Sequence, residues 1–345
     1  MDEIALYPSR RALLASGLAA GALTLAGRGN ARSAPRPVFG KVERLDPALD
    51  ALVDADAVVE DVMDGFAWSE GPVWVGGADG RLLVSDPRGN LIRQWSARTG
   101  ASEWLKPSGY AGADGAKLRE PGTNGLFQGR GGLVVADSGN RCIGHIDLKT
   151  RRKTVIADRF EGKRFNSPND LCISPVDGAI YFSDPPWGLQ GGLESPDREL
   201  DYTGVFRVAP DNSVSLVGKY DMPNGVGISP DGRTLYHTDG KIGWVAHRLD
   251  AGGRSVSERP FIDRAAQKFT GNSGDSLKVD QAGNVWLSGR DGLSIVDPAG
   301  RRIGIVRVHD VVSNCEIGAD GHLYMTCNHK VARVRVKARK LKSRT

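Results

Sequence analysis

Asn224-Gly-Val-Gly-Ile-Ser-Pro-Asp-Gly-Arg-Thr-Leu-Tyr-His-Thr-Asp239 is the stretch on which the reading of this chain turns. A polar residue leads into an apolar strand, Asp231-Gly232 reverses the chain, and a second strand ends in aspartate. Asp-Gly between alternating apolar runs is a strong short-range hairpin signal. The same grammar opens at Glu70-Gly-Pro-Val-Trp, Asn124-Gly-Leu-Phe, Asn169-Asp-Leu-Cys-Ile, Asp275-Ser-Leu-Lys-Val and Ser313-Asn-Cys-Glu-Ile. In the last copy Cys315 and Ile317 fall two and four places after Ser313, as Val226 and Ile228 follow Asn224. Strand parity therefore makes Ser313 the lead residue, because a slip of one turns every side chain over.

A third strand pattern follows each hairpin, and the leads at 70, 124, 169, 224, 275 and 313 recur at the period of a four-stranded blade. No amphipathic helical pattern of useful length intervenes. The fold expected is all-β, a six-bladed β-propeller with a central metal site over residues 58–336, in which 58–64 supplies the outer strand that closes the ring. Residues 35–57 are read as an N-terminal extension and 337–345 as a basic C-terminal tail.

The chain has 345 residues, 40% hydrophobic and 25% charged, with 45 glycines, a composition suited to a soluble fold rich in tight turns. Its net charge of +5 gathers at the ends, from Arg10 to Arg36 and from Arg333 to Arg344. That placement describes a targeting segment and a solvated tail, and no recognition helix or aromatic-basic interleaving argues for nucleic acid. Ser9-Arg10-Arg11 stands before an apolar run broken by Gly17 and Gly21, and small residues follow. The run is shorter than a membrane span needs. Residues 1–34 therefore read as a twin-arginine-type signal peptide, with the export machinery as a partner, a periplasmic or secreted destination and no stable membrane insertion. Cys142, Cys172, Cys315 and Cys327 lack metal or redox spacing and carry no chemistry.

In a propeller the first strand of each blade lies nearest the axis, so residues opening those strands converge on one funnel. Here they are Glu70, Asn124, Asn169, Asn224, Asp275 and Ser313, all bearing side-chain oxygen. Hard cations take oxygen ligands, and two carboxylates with neutral amides suit one divalent ion. Calcium is the first choice, with Zn2+, Mg2+ or Mn2+ as alternatives, because the leads offer neither imidazole nor thiolate. The plain alternative, that Asn124-Gly and Asn224-Gly only make turns, does not extend to Glu70.

Glu70-Gly-Pro-Val-Trp, Ser167-Pro-Asn169-Asp-Leu, Pro223-Asn224-Gly and Asp275 with its strand, in that order, resemble the SMP-30/gluconolactonase family. The resemblance implies a metal-dependent lactonase, a carboxylic-ester hydrolase acting on a small lactone or ester. By it, Glu70, Asn224 and Asp275 match metal ligands, and Asn169 lies at the metal and touches substrate. Asn124 is a further funnel position toward substrate. Two positions depart from the family's well-studied sugar lactonases: Ser167 replaces an arginine and Ser276 a common glycine.

On this reading the metal acts as a Lewis acid on the lactone carbonyl while water adds, with Asp275 as the residue that activates the water. Trp187, in an irregular stretch over 184–201, is a candidate pocket wall, and Tyr110 a lesser one. His145 and His237 read as structural. Alternatives on the same frame are an esterase or organophosphate hydrolase, and a non-catalytic ligand-binding propeller with a structural ion.

Overall fold

The computed structural model describes residues 36–37, 40–269 and 274–342. The expected signal peptide lies outside them. Among the described residues no helix is long and apolar enough to cross a membrane. Helical structure there amounts to three short 3-10 segments, Pro47–Ala51, Gly115–Lys117 and Gly192–Glu194.

Six antiparallel sheets of four or five strands form the blades. Their innermost strands are Glu70–Val75, Thr123–Gly129, Leu171–Ile173, Val226–Ile228, Leu277–Val279 and Asn314–Ile317. Consecutive innermost strands touch one another all the way round, including the last against the first. Both faces of each sheet are covered, which is why whole strands such as Gly132–Asp137 and Ile180–Ser183 are buried along their length. The buried apolar residues fall into six clusters, one at each junction between neighbouring blades. Val134, Phe182 and Phe206, for example, join the second blade to the third.

The ring closes as the sequence predicts. Val59–Met63 pairs with Lys330–Arg335, the third strand of the last blade, so that blade holds strands from both ends of the chain. Two expectations need correction. The extension over 35–57 is built into the ring: Lys41–Arg44 adds a fifth strand to the fifth blade beside Arg302–Arg307, and Leu49 is fully buried in the core. Nor does the C-terminal tail hang free over 337–342, although Lys337, Arg339 and Lys342 stay exposed. Its backbone bonds Leu52 and Gln281, Lys340 Nζ pairs with Glu316, and Leu341 packs on the cluster joining the third and fourth blades. The tail thus crosses the axis and covers one end of the channel. Its basic side chains concealed this in sequence, since a Lys stem can lie on apolar surface while its ammonium finds a carboxylate.

Candidate active site

The glycine after three of the six leads explains how the innermost strands approach. A Cβ on Gly71 would lie 2.0 Å from the Asn124 carbonyl oxygen, and one on Gly225 2.5 Å from the Leu277 nitrogen. With no Cβ in the way, Gly125 N–H donates to the Asn169 carbonyl at 2.7 Å and Gly225 N–H to the Asp275 carbonyl at 3.0 Å. Ser276 N–H bonds the Ser313 carbonyl in the same manner at 3.1 Å. The Asn-Gly pairs therefore stitch blade to blade rather than turn the chain.

In three of the blades the aspartate at the end of the second strand does related work. Asp86 accepts the backbone N–H groups of Ala67 and Trp68, just ahead of Glu70. Asp184 accepts those of Asn166 and Ser167, ahead of Asn169, and Asp239 that of Asp221, ahead of Asn224. Glu70, Asn169 and Asn224 are thus held from behind by their own hairpins through hydrogen bonds to carboxyl groups.

The side chains then meet as follows. Asn224 Nδ2 donates to Asp275 Oδ1 at 2.5 Å. Glu70 is buried and accepts from Gly71 N–H at 3.1 Å, Trp68 Nε1 at 3.3 Å and Asn314 Nδ2 at 3.3 Å. Burial, with the charges of Asp275 and Asp170, holds its carboxyl well above the usual range. Asp275 is pushed up to about 7, chiefly by burial, against the hydrogen bond from Asn224. Asn124 and Asn169 are buried, and among the described residues the Asn124 Oδ1 has no hydrogen-bond partner. Below them Asp170 bonds Ser276 Oγ and, at 3.2 Å, Lys278 Nζ. Ser276, one of the two departures noted in sequence, thus belongs to a polar layer under the funnel.

Ser313 keeps the backbone register of a lead, its N–H donating to the Thr326 carbonyl at 2.9 Å as Asn224 donates to Thr238. Its hydroxyl, however, bonds the Ser69 carbonyl and Thr326 Oγ1, so its oxygen is committed. Asn314 is the residue that reaches Glu70. Strict alternation fails at the strand entrances, where Glu70/Val73 and Thr123/Leu126 are bulged.

A cavity of about 310 Å³ opens beside Asp275 and Asn224, walled by Trp68, Trp187, Met222 and Arg290. Trp187 therefore flanks the two leads, and Ser167 holds its loop by accepting the Gly188 N–H at 2.9 Å. The serine that stands in place of arginine is thus a clamp for the loop. A larger opening of about 810 Å³ lies at the tail and contains none of the leads. Tyr110 is bonded to Asp114 and does not line the cavity, and His237 is buried against His247 and Tyr220. Sequence reasoning missed Trp68, Arg290 and Glu120, although Trp68 stands two places before its lead, as Ser167 and Met222 do before theirs. The available signal for Glu120 was Arg119-Glu120-Pro121-Gly122 directly ahead of Asn124.

A six-bladed propeller whose inward-facing carboxylates and amides crowd one end of its axis defines a class of funnel-site proteins. Residues 68–329 match the model of the SMP-30/Gluconolactonase/LRE-like region, and the chain belongs to that family. It is 39% identical over 312 residues to a gluconolactonase of Zymomonas mobilis, covering 87% of each chain. Among solved structures it is similar to a gluconolactonase of Xanthomonas campestris at 28% identity and TM-score 0.75, covering 88% of this chain and 98% of that one. The calcium-binding protein regucalcin of Agrobacterium tumefaciens shares the fold at 18% identity and TM-score 0.62, covering 81% and 94%.

Proposed function

We propose that this chain is a cation-dependent hydrolase that opens a sugar lactone, with Glu70, Asn169, Asn224 and Asp275 holding one calcium ion. The observation that carries the reading is the funnel's unmet demand for positive charge. Two buried carboxyls are pushed up together, and a buried amide oxygen, Asn124 Oδ1, lacks a donor. Buried oxygens in that state are costly unless a cation or ligand meets them. The four side chains offer two carboxyls and two amides, with neither imidazole nor thiolate, a set that favours a hard ion.

When bound, the cation supplies Lewis-acid polarisation of the lactone carbonyl. The chain's own residues do the rest. Asn224 fixes the Asp275 carboxylate, which opens on the cavity and is placed to orient the attacking water. Trp187 and Trp68 wall that space, and the reading assigns the buried amides of Asn124 and Asn169, which do not line it, to lactone hydroxyls at the funnel. The gluconolactonases of Zymomonas and Xanthomonas support lactone over other esters, and regucalcin supports calcium. Residues 1–34 are proposed to direct twin-arginine export to the periplasm or beyond.

The test is hydrolysis of gluconolactone, phenyl acetate and a phosphotriester by purified protein, with added calcium and after chelation. Calcium-dependent turnover of the lactone is expected. Preference for the aryl ester or phosphotriester would move the substrate class, and tight cation binding without turnover would make the propeller a binding protein.

A further inference from the structure

The leads form the first of three layers down the propeller axis. One place after them stand Gly71, Gly125, Asp170, Gly225, Ser276 and Asn314, and Asp170 alone in that layer is charged. Two places further on, Lys278 and Glu316 line a small cavity with Cys172 and Gly227, which Lys340 of the tail also lines. From each lead to the end of its innermost strand, the six stretches hold four carboxyls, Glu70, Asp170, Asp275 and Glu316, and one ammonium, Lys278.

The charges are matched along the axis. Glu316, in the same layer as Lys278, is taken by Lys340. The Lys278 ammonium turns back toward the funnel instead. It donates to Asp170 Oδ2 at 3.2 Å and Oδ1 at 3.3 Å, and reaches Ser276 Oγ at 3.4 Å. Ser276 Oγ donates to Asp170 in turn, and Leu171 N–H donates to Asp170 Oδ1 at 2.9 Å. The Asp170 and Lys278 side chains are 3% and 13% exposed, so water screens the pair little. Asp170 and Ser276 directly follow Asn169 and Asp275, which places the ammonium's partners one residue below two of the proposed cation ligands. With Asp170 and Glu316 each met by a lysine, the axial carboxyls left without a cationic partner are Glu70 and Asp275, which together match one divalent ion. A buried ion pair gains little stability over apolar packing of the same volume, so its presence here calls for a use of its charge.

We propose that Lys278 is a tethered cation: its ammonium stands below the funnel in the place of a second metal ion, engages Asp170 and confines the axis to one exchangeable divalent ion. This rests on the cation-site reading above. Without the ammonium, the Asp170 carboxylate adds a third negative charge beside Glu70 and Asp275 and draws a cation more strongly. Without Asp170, the ammonium is left unpaired under the bound cation and repels it. Lys278 is therefore a positioning residue, acting on the funnel through Asp170 and through its own charge.

The experiment is calorimetric calcium titration of the chelator-stripped full chain and of its Lys278→Met, Asp170→Asn and double variants, with melting curves of each. The parent is expected to take up one equivalent, and two equivalents would overturn the proposal. Lys278→Met should bind calcium at least about tenfold more tightly, Asp170→Asn at least about tenfold more weakly, and the double variant within about threefold of the parent. Chelated Lys278→Met should melt below the chelated parent and regain more on adding calcium than the parent does. A pair that only holds the fold together would shift both affinities the same way or neither, and either result overturns the proposal. Should Lys278→Met not fold, the other two variants decide, because an affinity lost in Asp170→Asn and not restored in the double variant also overturns it. A parent that binds no calcium sinks the cation-site reading and this proposal together, whereas a parent that binds one ion beside single variants of unchanged affinity sinks this proposal alone.

Discussion

Asn224 donates its side-chain amide to Asp275 across the junction of the fourth and fifth blades, a 2.5 Å bond between residues 51 positions apart. The two backbones are joined at the same place, Gly225 N–H to the Asp275 carbonyl. Packing one blade on the next and orienting a site carboxylate are therefore a single event. Residues that serve both purposes are expected to trade stability against binding.

Glu70→Gln tests that trade. The substitution relieves the repulsion from Asp275 and Asp170 and keeps one acceptor oxygen, which can serve Gly71 and Asn314 while the bond from Trp68 is lost. The chelated variant should be more stable than the chelated parent by about 1 kcal/mol, while calcium affinity drops at least about tenfold. Thermal melting and calorimetry read the two effects, and a variant that is less stable yet binds normally would contradict the arrangement.

A pH dependence follows from Asp275, whose folded carboxyl lies at about 7, above its unfolded value of about 4. In chelated protein the stability carried by the protonated group is complete below about pH 4 and is lost as pH rises through about 7. A cation takes the proton's place. The difference in Tm with and without calcium should therefore widen from about pH 5 to 8, and a constant difference would remove Asp275 from the binding set.

His237 behaves in the opposite sense. Burial, then the neighbouring His247, holds its ring well below 6.5, and its Nδ1 meets His247 Nε2 at 2.9 Å. Its folded value is depressed, so the stability it carries is present above about pH 6.5 and lost as pH falls. Tyr220 packs against the ring at a 45° tilt, and Glu258 stands 3.6 Å from His247. The fall in Tm from about pH 7 to 5 should be shallower in His237→Gln, and equal slopes would clear this pair of any role in acid lability.

The tail gives a stability prediction. Ending the chain after Val336 leaves Glu316, 5% exposed, without Lys340 and uncovers the apolar floor under Leu341. A loss of about 3 kcal/mol is expected, and Lys340→Met in the intact chain should lose less because the cover stays. An unchanged melting temperature on truncation would show that the tail only rests on the propeller.

Trp187→Ala addresses the cavity wall. Losing one aromatic face, worth about 1 to 1.5 kcal/mol, should raise KM about tenfold with little change in Tm. A reduced Tm at unchanged KM would reassign Trp187 to loop packing.

The blades, their order and the closing strand were legible in the chain because each hairpin is a local event, encoded within about fifteen residues by alternation and a turn. The leads were legible by the same route, since equivalent positions in repeats must converge once the ring closes. Lys41–Arg44, Lys340 and Glu120 were not, because their partners are a blade edge, a channel mouth and a loop more than 60 residues away. Nor could parity foresee that the Ser313 hydroxyl would turn to Ser69 and leave Asn314 at Glu70. Sequence alone determined which elements form and which residues head them, through short-range hydrogen bonding and periodic burial. Only the closed tertiary ring decided which oxygens are engaged and which remain free, because that depends on neighbours each residue meets only after all six blades have packed.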